Sequence, residues 1–159
     1  MKLILMRHGD ARDAPIDARR PLSEEGVREA ERAGELLALL KEAPGAILHS
    51  DLLRSRMTAE IVAGKLGMPQ NLRLQSGLRP EDSAVDFADD LAVASWEGCV
   101  MLVGHMPFLE ECASCLLSGS ENTVSIHFST GTLLCLERRR AETWTLRFHF
   151  PAKMITKII

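Results

Sequence analysis

The chain of 159 residues is 46% hydrophobic and 26% charged, with a net charge of −3. That length suits one domain over 1–159 with a sizeable core, in the composition range of soluble globular proteins. The charge carries no basic footprint for nucleic acid, so any attraction for an anion must be local, and no stretch approaches the roughly 20 apolar residues of a membrane span.

Residues 2–6 read as a buried strand. This apolar run is too short for a signal peptide and meets Arg7 at once, so a cytoplasmic protein is expected. Residues 10–20 form a polar loop. Pro21-Leu22-Ser23 then opens a helix, with Ser23 as N-cap and Glu24 and Glu25 at its positive end. Val27, Ala30, Ala33, Leu37 and Leu40 make one apolar face, which Pro44-Gly45 stops. A strand over 46–49, a helix over 51–66, a strand over 72–75 and a helix over 83–94 follow. The apolar run 99–103 reads as a central strand, and Gly104-His105-Met106-Pro107 turns into a helix over 108–117. Strands are expected over 124–128, 132–137 and 143–150, the last two joined by a turn at 138–142; the tail 153–159 is ambiguous. The order β-α-β-α-β-α-β-α-β-β-β predicts a three-layer α/β/α sandwich with a mainly parallel sheet and an antiparallel edge.

Three strand-to-helix junctions carry unusual polar groups: Arg7-His8-Gly9, then Ser50 with Arg54 one turn on, then Gly104-His105. In a parallel sheet these junctions open on one edge, where α/β proteins bind ligands. Two arginines and two histidines near helix N-termini make an anion site. One imidazole can attack as a neutral nucleophile while the other donates a hydrogen bond. Each residue alone has a blander reading: His49, His127 and His149 are read as ordinary hydrogen-bonding residues, and Arg56 as a solvated or ion-paired helix residue.

With these segments in order, the chain resembles the histidine phosphatase superfamily, of phosphoglycerate mutase-like fold, and within it the small SixA-type phosphohistidine phosphatase branch. The resemblance rests on Leu3-Ile4-Leu5-Met6-Arg7-His8-Gly9-Asp10-Ala11, Arg20-Pro21-Leu22-Ser23-Glu24-Glu25-Gly26, Ser50-Asp51-Leu52-Leu53-Arg54-Ser55-Arg56-Met57-Thr58-Ala59 and Leu102-Val103-Gly104-His105-Met106-Pro107. It implies that His8 takes the phosphoryl group, that Arg7 and Arg54 clamp its oxygens, that His105 stabilises the group in transfer, and that Arg20 is an accessory contact. Neighbouring cations are expected to depress the pKa of His8 and keep it nucleophilic. Guanidinium charge serves where other enzymes use a metal, so no cofactor is expected.

Two features depart from the phosphoesterase pattern. The glutamate that such enzymes carry after strand three is missing; Gly77 and Arg79 flank Leu78, leaving Glu81 and Asp82 as candidate proton donors or as solvated residues at a helix start. Met57 stands where relatives often carry glutamine, a matter of packing. Without a strong acid, the resemblance favours phosphohistidine in a protein, such as a phosphorelay domain, over small phosphate esters; a small-molecule phosphomonoesterase and a non-catalytic phosphate-binding module are the alternatives. Cys112-x-x-Cys115 lacks a second cysteine pair and a histidine at zinc spacing, so Cys99, Cys112, Cys115 and Cys135 are expected to be free thiols.

Overall fold

The computed structural model describes residues 1–93, 96–140 and 143–159. In chain order it contains β1 (Lys2–Arg7), α1 (Glu24–Leu39), β2 (Ala46–His49), α2 (Leu53–Lys65), β3 (Leu72–Leu74), α3 (Ala84–Val93), β4 (Cys99–Gly104), α4 (Phe108–Ser118), β5 (Leu133–Arg140), β6 (Thr143–Phe150) and α5 (Ala152–Ile155). The strands form one sheet in the order β3-β2-β4-β1-β5-β6, parallel from β3 to β1 and antiparallel beyond. Successive strand residues face opposite sides and so split the core in two. Leu3, Leu5, Leu48, Val100 and Leu102 share one cluster with Leu91 of α3 and Phe108 of α4. Ile4, Met6, Ile47, Met101 and Val103 share the other with Leu37 of α1, Val62 of α2 and Ile155 of α5. This is the expected three-layer α/β/α sandwich.

Register brings the three polar junctions level. Arg7 pairs with Gly104 and His49 with Val103, so residues 8, 50 and 105 leave the sheet side by side. The His8 N–H continues the ladder onto the Gly104 carbonyl at 3.0 Å.

The expected strand over 124–128 does not form. Ser114 Oγ of α4 accepts the Thr123 and Val124 N–H groups, and the Glu110 carboxylate accepts the Ile126 N–H at 3.0 Å. Helix side chains thus satisfy backbone donors that a sheet ladder would otherwise take. The tail forms the short helix α5, anchored by buried Ile155. Helix α1 ends at Leu39, ahead of Pro44, with Lys41 in the left-handed region at φ 56°. Helix α2 begins at Leu53, two residues after the expected start. Ala94, expected to end α3, and Ala141 and Glu142, expected in the β5–β6 turn, lie outside the described residues.

The loop between β1 and α1 is a paired excursion. The Ser23 N–H donates to the Asp10 carbonyl and the Arg12 N–H to the Pro21 carbonyl, each at 2.9 Å. Ser23 caps α1 by accepting the Gly26 N–H at 3.1 Å. Gly26 then lies against the loop: a Cβ there would collide with the Asp10 backbone, and one on Gly9 with the Gly26 carbonyl. Gly26→Ala should therefore destabilise the fold by about 1–3 kcal/mol through overpacking, despite a gain in helix propensity of up to about 1 kcal/mol. Thermal unfolding checks this; a midpoint at or above that of the wild type would mean that helix and loop separate freely.

Candidate active site

Arg7, His8, Arg20, Arg54 and His105 line one shallow cavity of about 260 Å³, together with Asp10, Pro80 and Thr130 among others. Three guanidinium groups against one lining carboxylate give local positive charge in a chain whose net charge is −3. The His8 and His105 ring centroids stand 5.1 Å apart.

The state of each ring follows from its hydrogen bonds. His8 Nδ1 lies 2.7 Å from the Gly9 carbonyl oxygen. A carbonyl only accepts, so Nδ1 carries the proton and Nε2 keeps its lone pair. Burial pushes the His8 pKa down to about 4; the Gly9 carbonyl opposes this, and Arg54, Arg7 and Arg20 add to it. Burial leads and the cations follow, the reverse of the emphasis expected from the sequence, with the same neutral ring near pH 7.

His105 Nε2 lies 2.6 Å from Ser50 Oγ, which also accepts the Leu52 N–H at 3.3 Å. A hydroxyl that accepts from the backbone can also donate to the ring; with Ser50 donating to Nε2, the imidazole proton lies on Nδ1. That Nδ1 is buried with no partner among the described residues. Burial, then the neighbouring His8 and Arg54, push the His105 pKa down to about 3.

Arg7 Nη1 donates to the Phe128 carbonyl at 2.8 Å, so the irregular 124–128 segment fixes the Arg7 guanidinium at the cavity. Arg54 Nη1 donates to the Asp17 carbonyl at 3.0 Å, and Nη1 and Nη2 both reach Asp17 Oδ2 at 3.3 Å. Neither arginine Nε has a partner. Arg7 Nε, Arg54 Nε and His105 Nδ1 are the buried side-chain nitrogen and oxygen atoms without a hydrogen bond among the described residues. Native structures pair nearly all such groups. Unpaired donors gathered beside a neutral nucleophilic nitrogen suit the equatorial oxygens of a phosphoryl group in transfer.

Asp17 puts a carboxylate where an anionic oxygen would sit on Arg54. Its side chain is 65% exposed, and an exposed ion pair is worth about 0–1 kcal/mol, so a phosphoryl dianion can displace it. Desolvation raises the Asp17 pKa, but Arg54 and Arg20 outweigh this and hold it below its ordinary value. Arg20 lies at the rim, tied to Asp17 at 3.4 Å and to the Arg12 carbonyl at 3.1 Å.

Glu81 and Asp82 are not brought to the cavity. Glu81 faces Arg79 at 3.8 Å, and Asp82 Oδ2 accepts the Arg79 N–H at 2.7 Å. Arg79 itself forms a bidentate pair with Asp51. His49 and His149 bind backbone carbonyls, and Arg56 pairs with Glu60 at 3.6 Å. All four cysteines are free; burial raises the pKa of both Cys112 and Cys115, which keeps these thiols protonated. Sequence reasoning missed Asp17, Thr58 and Thr130 and gave Ser50 no role. Thr58 Oγ1 donates to the Arg54 carbonyl at 2.7 Å and accepts the Gly9 N–H at 3.1 Å, joining two junctions. The signal for it was its place one helical turn after Arg54.

The sequence profile of the histidine phosphatase superfamily (branch 1) matches residues 3–80. Phosphohistidine phosphatase SixA of Escherichia coli (strain K12) is 30% identical over 112 residues, 69% of this chain and 70% of its own. A protein of Picosynechococcus sp. is 36% identical over 126 residues, 75% of this chain and 74% of its own. Among solved structures, protein histidine phosphatase SixA complexed with tungstate superposes with a TM-score of 0.88 at 23% identity, over 96% of this chain and 98% of that one. The α-ribazole phosphatase of Shigella flexneri superposes at 0.73 with 17% identity, over 92% and 95%. No helix among the described residues is long and apolar enough to cross a membrane. The chain belongs to the histidine phosphatase superfamily and is a phosphatase.

Proposed function

We propose that this phosphatase removes the phosphoryl group from phosphohistidine in a protein, as a single cytoplasmic domain, through an intermediate on Nε2 of His8. The carrying observation is how the candidate acids Glu81 and Asp82, and the carboxylates Asp17 and Asp10, are committed. Glu81 and Asp82 are engaged with Arg79, Asp17 is held anionic by Arg54 and Arg20, and Asp10 accepts the Ser23 hydroxyl at 2.5 Å. An alkoxide leaving group needs a proton as its O–P bond breaks. The imidazole of phosphohistidine leaves readily and takes its proton from solvent. The name of the Escherichia coli relative supports the same reading.

In the forward step the His8 Nε2 lone pair forms a new N–P bond while the substrate N–P bond breaks. Arg7 and Arg54 hold the equatorial oxygens, and His105 Nδ1–H donates to one of them. Water then attacks phosphorus and releases phosphate and His8. The shallow cavity leaves a side chain on a protein surface within reach.

The test compares kcat/KM for a phosphohistidine peptide with that for a simple alkyl phosphate between pH 5 and 8. The phosphohistidine substrate should lead by at least about 100-fold, the lower end of what general acid catalysis contributes. Glu81→Gln and Asp82→Asn should each keep that activity within about twofold. Equal turnover of the ester, lost in either variant, would establish a phosphomonoesterase with a hidden acid instead.

A further inference from the structure

One carboxylate outside the catalytic quartet is wired to His8. Glu29 lies one turn beyond Gly26 on α1, on the face that the Gly9–Gly26 contact presses against the loop after β1. Its Oε2 accepts the Asp10 N–H at 2.8 Å. The same peptide group presents the Gly9 carbonyl, which accepts His8 Nδ1–H at 2.7 Å. A carboxylate, a peptide and an imidazole therefore stand in series. Glu29 Oε1 also accepts the Thr130 hydroxyl at 3.0 Å, and Thr130 lines the cavity. Beside Thr130, the Gly131 N–H lies 3.2 Å from the Arg7 and His8 carbonyls.

We propose that Glu29 is a positioning residue for phosphoryl transfer, holding through the Gly9–Asp10 peptide the His8 tautomer that leaves Nε2 free to attack; this rests on His8 being the acceptor. A negative charge on the N–H side of an amide polarises its carbonyl into a better acceptor, because hydrogen bonds in series reinforce one another. The gain is largest when His8 is phosphorylated and its ring turns cationic, since the Nδ1–H bond then becomes charge-assisted. The logic is that of a carboxylate orienting a catalytic histidine, with a peptide group interposed. A second effect runs the same way: burial lowers the Arg7 pKa and the Glu29 charge opposes that shift.

Glu29→Gln separates charge from shape. The amide oxygen can still accept from Asp10, and the amide nitrogen can donate to Thr130 Oγ1. In single-turnover labelling with phosphoramidate, the rate of phospho-His8 formation should fall about tenfold, as for other outer-shell carboxylates, with little change in half-saturating donor concentration. The thermal midpoint should hold. Nitrogen-15 NMR of His8 should show a single Nδ1–H tautomer in the wild type and a mixture in the variant. An unchanged tautomer, or a labelling rate within twofold of wild type, would overturn the proposal. If wild-type His8 takes no label, the acceptor reading fails; the tautomer comparison still decides whether Glu29 orients the ring.

Discussion

His8→Ala should lose phosphatase activity by at least about 10⁴-fold and form no acid-labile phosphoenzyme. Removing the nucleophile of a covalent mechanism leaves only what binding and charge supply, and comparable knockouts cost about 10⁴–10⁶. The choice of His8 over His105 rests on two hydrogen bonds: Gly9 fixes the His8 proton on Nδ1, whereas Ser50 takes up Nε2 of His105. His105→Ala should therefore slow phosphorylation yet still allow label on His8. Trapping the enzyme with phosphoramidate and locating the label by mass spectrometry checks both. Label of equal intensity in His8→Ala would assign the nucleophile elsewhere.

The pH dependence has a definite sign. With its pKa near 4, His8 stays neutral and reactive down to about pH 5, so labelling should persist well below the ordinary histidine pKa of about 6.5. Stability behaves differently. The unfolded chain binds more protons than the folded one between pH 6.5 and the folded values of His8 and His105, so the fold weakens as pH falls through that window.

Arg54→Met should cut kcat/KM by about 10³-fold while leaving thermal stability unchanged or raised. Arg54 is 4% exposed; among the described residues its Nε has no partner and its other nitrogens reach only the exposed Asp17. A buried cation so partnered is costly to the fold, and an apolar side chain of similar volume is tolerated or preferred. In the proposed reaction the same cation answers charge that builds on the phosphoryl oxygens in the transition state, where an arginine contributes about 10³–10⁵. Arg54→Lys should recover little, since an ammonium cannot present the planar fork. Steady-state kinetics with a thermal melt, with and without inorganic phosphate, decides the matter. Phosphate should raise the wild-type midpoint and not that of the variant. Activity within tenfold of wild type, or a markedly lower midpoint, would place Arg54 in the scaffold rather than in the clamp.

Much of this molecule was legible in one dimension. Alternation of strand and helix named the sandwich, because each apolar period must bury a face against another layer. Arg7, His8, Arg54 and His105 were legible because each follows a β-type run at the same kind of junction. The 124–128 segment misled because Val124, Ile126 and Phe128 alternate like a strand, while the partners of its backbone, Ser114 and Glu110, lie on a helix ten or more residues earlier. Glu81 and Asp82 stood in the right neighbourhood of the chain, but Arg79 draws both away from the cavity.

The sequence by itself determined the family, the layer order and which arginines and histidines meet at one cavity, since these rest on local periodicity and on residue types at fixed junctions. Only the tertiary structure decided which nitrogen of each imidazole is free, that Asp17 sits on the Arg54 fork, and that Glu29 reaches His8 through a peptide. Those properties depend on strand register and on the contact of Gly9 with Gly26, which join residues far apart in the chain at hydrogen-bond distances that no pattern of spacing encodes.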